Sequence, residues 1–145
     1  MLFAALLALA LQSAPADASV DPLAGEGERL GRFSTLFAVC EPYYTVNIGA
    51  GHGLADDFQR RSTAAGWSAE QRSRAYDHGR GLERAEIGIV MDLTGMTPQE
   101  ARRRLRHMFP RLKRRCQDLA RDVPGAISDV EAGDRRLDAA ARRYR

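Results

Sequence analysis

The chain is poor in the features that announce an activity. It has two cysteines, Cys40 and Cys116, and they lie 76 residues apart. No Cys-x-x-Cys pair exists, so the compact redox and c-type haem motifs are absent. Its three histidines, His52, His78 and His107, never fall at His-x-x-x-His or Glu-x-x-His spacing. The metal-binding helix patterns therefore have no foothold. There is no Gly-x-Ser-x-Gly elbow, which removes one strong signature of nucleophilic catalysis. Lysine is nearly missing as well: Lys113 is the only one among 22 basic residues. Aromatics make up 7% of the chain, and no alternating stretch long enough for a useful strand occurs.

Long apolar runs are scarce too. The one that exists is Met1-Leu-Phe-Ala-Ala-Leu-Leu-Ala-Leu-Ala-Leu11. Eleven residues are too few to span a bilayer, which takes about 20, but they match the hydrophobic region of a secretion signal. Ala16-Asp17-Ala18 follows, with small residues where a signal peptidase reads. Residues 1–18 are thus expected to be a cleaved signal peptide. No Lys or Arg precedes the run, which a start site placed too far downstream would explain. No transmembrane segment is expected after cleavage, and the protein is expected to be periplasmic or secreted.

Cleavage after Ala18 leaves 127 residues, enough for one domain with an ordinary core. In an oxidising compartment the two cysteines read as a disulfide. By chain entropy a bridge closing a loop of this length contributes about 4.5 kcal/mol, as an upper figure.

Ser19 to Gly27 carries Asp, Pro and two Gly and reads as a flexible leader. Leu30, Phe33, Phe37, Cys40 and Tyr44 then recur at helical spacing, which predicts a helix ending near Cys40, because Pro42 follows. Ile48-Gly-Ala-Gly-His-Gly53 reads as a loop, since glycine disfavours a helix interior. A short helix over Leu54 to Ala65 should follow, closed by Gly66.

Ser68-Ala-Glu-Gln71 has the form of a capping box, with Trp67 placed to staple the first turn. The helix after it is expected to reach about Leu93, with Ala75, Gly79, Leu82, Glu86, Ile89 and Leu93 on its inner stripe. The small residues Ala75, Gly79 and Ala85 would let a neighbouring helix approach. Thr97-Pro-Gln-Glu100 is the strongest local signal, a second capping box with Pro at the first helical position. The stripe Ala101, Leu105, Met108, Leu112, Cys116, Leu119 and Val123 keeps phase across Pro110, which favours a kink over a break. Val123-Pro-Gly125 ends it, and residues 124–145 read as a loosely docked helix or tail. The expected fold is all-α, a bundle of four to five helices over residues 28–123, stapled by Cys40–Cys116.

Glu86 stands out as a carboxylate on an apolar stripe, which predicts a buried polar group paired with an arginine such as Arg29, Arg32 or Arg60. With Glu83 one turn away, the pair offers a second reading as the acid–base or cation site of a small-ligand or metal-binding enzyme. His52, in the glycine stretch, reads as a surface histidine. The spacing Gly49-x-Gly51-x-Gly53 lacks the strand, lysine and register of a phosphate loop. Between Glu100 and Cys116 stand eight basic residues: Arg102, Arg103, Arg104, Arg106, Arg111, Lys113, Arg114 and Arg115. They cover the face opposite the apolar stripe. In an exported protein such a face suits an acidic partner protein or anionic head groups better than nucleic acid, and Arg103, Arg106 and Arg114 are the candidate binding residues.

The layout resembles a class of small uncharacterised secreted bacterial helical proteins with one disulfide. The resemblance rests on Leu36-Phe-Ala-Val-Cys40, Arg74-Ala-Tyr-Asp-His-Gly-Arg80 and Arg115-Cys116, and spans about Leu30 to Arg121. It implies export and a helical fold and carries over no functional residue, since the class has no established activity. The expected function is that of a non-enzymatic exported adaptor or accessory factor without catalytic residues, metal or cofactor. A periplasmic stress or holdase chaperone is the other non-enzymatic reading.

Overall fold

A computed structural model describes residues 21–89 and 94–145. The expected signal peptide, residues 1–18, and Leu93 lie outside them. Five helices and one two-stranded ribbon are present among the described residues: α1 (Pro22–Cys40), β1 (Thr45–Val46), α2 (Gly49–Ala64), α3 (Ala69–Ile87), α4 (Pro98–Asp122), β2 (Ile127–Ser128) and α5 (Val130–Arg142). The strands pair antiparallel, Thr45 with Ser128 and Val46 with Ile127. The chain is a small all-α bundle.

The helix starts follow local chemistry. The Ser68 and Thr97 hydroxyls accept the backbone N–H groups of Gln71 and Glu100, whose side chains accept the cap N–H in return. Both capping boxes are present as expected. Gly66 follows α2 in the left-handed region, with φ 84°. Helix α4 runs unbroken through Pro110. That proline lies on the exposed face, where water can serve the Arg106 carbonyl that the missing N–H would have bonded.

Three expected boundaries are corrected. The leader over residues 19–27 is helical from Pro22. Asp21 caps it by accepting the Leu23 N–H at 3.0 Å, and Pro22 occupies the first turn. The glycine stretch 49–53 is the start of α2, because Asn47 Oδ1 receives the Gly49 N–H and Gly51 lies where a Cβ would stand 2.8 Å from the Phe37 ring. Glycine there is what lets α2 close on α1. Helix α3 stops at Ile87: Gly88 takes φ 79° and its N–H caps back onto Arg84 and Ala85. Of the two readings for residues 124–145, a docked helix or a tail, the structure shows a docked helix. Leu137 is 1% exposed, Ala126 and Ile127 are buried, and the Tyr44 hydroxyl donates to Asp134 Oδ1 at 2.6 Å. The polar composition of α5 hid this, since two residues, Gly133 and Leu137, bury its inner face. Trp67 also departs from the expected staple. Its ring meets Phe58 edge-on and its indole N–H donates to Asp21.

The core joins α1, α4 and α5 through Leu36, Tyr44, Phe109, Leu112, Leu119 and Leu137. Cys40 and Cys116 are bonded at its centre, fully buried, with Cα atoms 5.8 Å apart. Helix α3 packs along α1 at backbone contact. A Cβ on Gly79 would stand 1.9 Å from the Glu28 carbonyl oxygen, and one on Gly31 would stand 2.0 Å from that of Tyr76. Side chains cannot fit between the two backbones, so this glycine pair sets both the distance and the rotation of α3.

Candidate functional site

The rotation of α3 decides which carboxylate enters the bundle. The row facing inward is Gly79, Glu83 and Ile87, spaced by four, and Leu82 is only half-buried. Glu83 is therefore the buried carboxylate, at 0% exposure, and Glu86 is displaced to the rim with 46% of its side chain exposed. The expectation of a buried Glu86 is corrected on this ground. The sequence stripe weighted Leu82 and Ile89, while glycine packing turned the helix by one residue.

Glu83 is held by two arginines from different helices. Arg115 of α4 donates Nε–H to Oε1 at 2.6 Å and Nη2–H to Oε2 at 2.9 Å. Arg32 of α1 donates to Oε2 at 3.3 Å and to Glu86 Oε2 at 2.9 Å. Glu28 and Asp118 complete the outer ring, at 3.4 Å from Arg32 and 2.8 Å from Arg115. Of the three arginines named for Glu86, Arg32 is thus the partner. Arg60 pairs with Asp57 instead.

The geometry is a forked guanidinium–carboxylate pair, the strongest kind of charged hydrogen bond. The bonds to Glu83 raise Arg115 above the ordinary arginine value, against the opposing effect of burial. Burial opposes charge on Arg32 as well, and its bonds to Glu83, Glu86 and Glu28 more than offset it. Both Glu83 oxygens are thereby committed to guanidinium groups. Their arrangement serves to lock α1, α3 and α4 together.

The cations of α4 fall into two sets. Its sequence holds nine basic and three acidic residues. Toward the C-terminal end, Arg115 serves Glu83, Lys113 reaches Asp138 of α5 at 2.8 Å, and Arg121 pairs with Asp118 at 2.9 Å. The bond to Asp138 raises Lys113 above the ordinary lysine value. Arg102, Arg103, Arg104, Arg106, Arg111 and Arg114 form no ion pair among the described residues and are exposed. The three candidate binding residues, Arg103, Arg106 and Arg114, belong to this second set. Glu100 is the acidic residue of that region. Hydrogen bonds from the Thr97 backbone and hydroxyl, with the nearby Arg103 and Arg104 charges, hold it below the usual carboxylate value.

The histidines remain apart from one another. His52 lies at the mouth of a groove between α1 and α2, His78 is 3.7 Å from Glu28, and His107 lines a shallow cavity with Arg104 and Arg111. Among the described residues no cluster of three metal-ligating side chains occurs, and no helix is long and apolar enough to cross a membrane.

Sequence reasoning missed the groove. Ile48 and Leu54, the two exposed large apolar residues among those described, at 54% and 44%, both line it. The signal was present but misassigned, because a glycine stretch read as a loop gave Ile48 no helix to face. No protein-family model matches this chain, and no curated protein or solved structure matches it significantly.

Proposed function

We propose that the protein is an exported, non-enzymatic helical adaptor or accessory factor that docks an acidic partner surface on the arginine face of α4. The observation that carries this reading is the division of cations on one helix. Exposed arginines contribute little to folding, so the six that form no ion pair among the described residues are available to a partner. Guanidinium groups on a fixed helix suit carboxylate or phosphate groups, which they bind in a fork. The buried disulfide and the Arg115–Glu83 pair hold that helix rigid, which lowers the cost of ordering a binding face. The apolar stripe of α4 is spent on the core, so the face works by charge. A disulfide and the absence of a membrane-crossing helix among the described residues are compatible with export.

Charge reversal tests the reading. The Arg103→Glu, Arg106→Glu, Arg114→Glu variant should lose co-sedimentation with phosphatidylglycerol vesicles and lose cross-linking to its envelope partner, with an unchanged melting curve. Undiminished capture by both probes would contradict the reading.

A further inference from the structure

The groove between α1 and α2 is separate from the arginine face and has its own chemistry. Its volume is about 350 Å³, within the range of small-molecule sites. Helix α2 runs antiparallel to α1: Gly51 lies beside Phe37, and Phe58 lies beside Gly27. Along α1 the groove is lined from Leu30 to Glu41, about 16 Å at the helical rise. Its two ends differ. Leu30, Leu54, Ala55 and Tyr76 form one end. Glu41 and His52 stand at the other, beside Ile48. The groove is therefore amphipathic along its length, with an apolar body and a polar mouth.

The mouth discriminates by charge. Glu41 carries the formal negative charge among the lining residues and forms no ion pair among the described residues. An anion would find no backbone donors at the nearby start of α2. The Gly49 N–H is given to Asn47 Oδ1 at 3.1 Å, the Ala50 N–H to the Asn47 carbonyl at 3.1 Å, and the Gly51 N–H to the Ile48 carbonyl at 3.0 Å. The usual attraction of a helix N-terminus for anions is thus used up internally. What remains is a carboxylate acceptor one helical turn beyond Phe37, which suits a cation.

We infer that the α1–α2 groove binds a small apolar amine, its hydrocarbon body along Leu30, Phe33 and Phe37 and its ammonium at Glu41. The apolar body supplies most of the affinity through area removed from water, and Glu41 supplies the preference for a cation.

The probes are n-octylamine, n-octanol and n-octanoate, which share a chain and differ in head charge. Isothermal titration with the disulfide-intact protein should rank octylamine first, about fivefold tighter than octanol, a ratio that corresponds to about 1 kcal/mol. Octanoate should bind weakest. In the Glu41→Gln variant the advantage of octylamine over octanol should vanish while octanol affinity stays unchanged. Amide shift mapping on the unmodified protein locates the site without any variant. Shifts from octylamine should centre on Phe37, Ile48 and Leu54. Octanoate binding as tightly as octylamine, shifts centred elsewhere, or no octylamine binding up to its solubility limit would each overturn the assignment.

Discussion

Helix α4 carries two sets of arginines that serve opposite purposes. Near its C-terminus Arg115 is 17% exposed and forks onto a carboxylate with no solvent access. Arg103, Arg106 and Arg114 are exposed and form no ion pair among the described residues. What separates them is the neighbour across the interface. Glycine packing of α3 on α1 turns Glu83 toward Arg115, and among the described residues no buried carboxylate meets the other set. Arginine content therefore says little by itself, and the helix contact that positions a counterion decides between a structural cation and an available one.

The comparison breaks most visibly at Arg115. Arg115→Ala should cost about 3–5 kcal/mol, because it leaves a fully buried carboxylate with Arg32 alone. Urea unfolding measures this loss. Gly79→Ala should cost about 2–3 kcal/mol, since the new Cβ would meet the Glu28 carbonyl and force the α1–α3 contact open. Thermal melts test it, and a Leu30 or Tyr76 amide shift would report the displaced helix.

A smaller effect is expected at Tyr44. Burial, together with the hydrogen bond to Asp134, raises its hydroxyl above the ordinary tyrosine value of 10.0. The folded state thus favours the protonated phenol. Its contribution is complete below pH 10.0 and is lost as pH rises toward the folded value. Tyr44→Phe should cost about 1–2 kcal/mol at neutral pH, and its deficit should shrink in alkaline melts. Smallest of all, Arg103→Ala, Arg106→Ala and Arg114→Ala should each change stability by no more than about 0.5 kcal/mol. A larger loss in any of them would erase the distinction between the two sets.

Much of the architecture was legible because it depends on local chemistry. Thr97 and Glu100 name a helix start from four residues, and the 3.6-residue stripe holding Cys116 fixes which face is buried. The Cys40–Cys116 bond followed from that face and from the expected compartment. The misreadings share a cause in packing between helices. Gly79 was legible as a residue that admits a neighbouring helix, and α1 does meet it there, but Gly31 across the contact was not singled out, and the two together turn α3 so that Glu83 rather than Glu86 is buried. Gly51 was read as a loop residue because glycine disfavours a helix interior, and the groove beside it went unseen. In α5 one large buried side chain, Leu137, is enough to dock the helix, below what a hydrophobic count detects. Arg103, Arg106 and Arg114 were legible as a surface cluster. That they form no ion pair among the described residues required knowing where every nearby acid points.

The most direct test sets the two arginine sets of α4 against each other in one experiment. Urea unfolding of Arg115→Ala and of the Arg103→Ala, Arg106→Ala, Arg114→Ala triple variant should be measured side by side with the unmodified protein. A loss of about 3–5 kcal/mol is expected for the single change and less than about 1.5 kcal/mol for the three together. A triple variant as destabilised as Arg115→Ala, or an Arg115→Ala protein as stable as the unmodified one, would contradict that expectation.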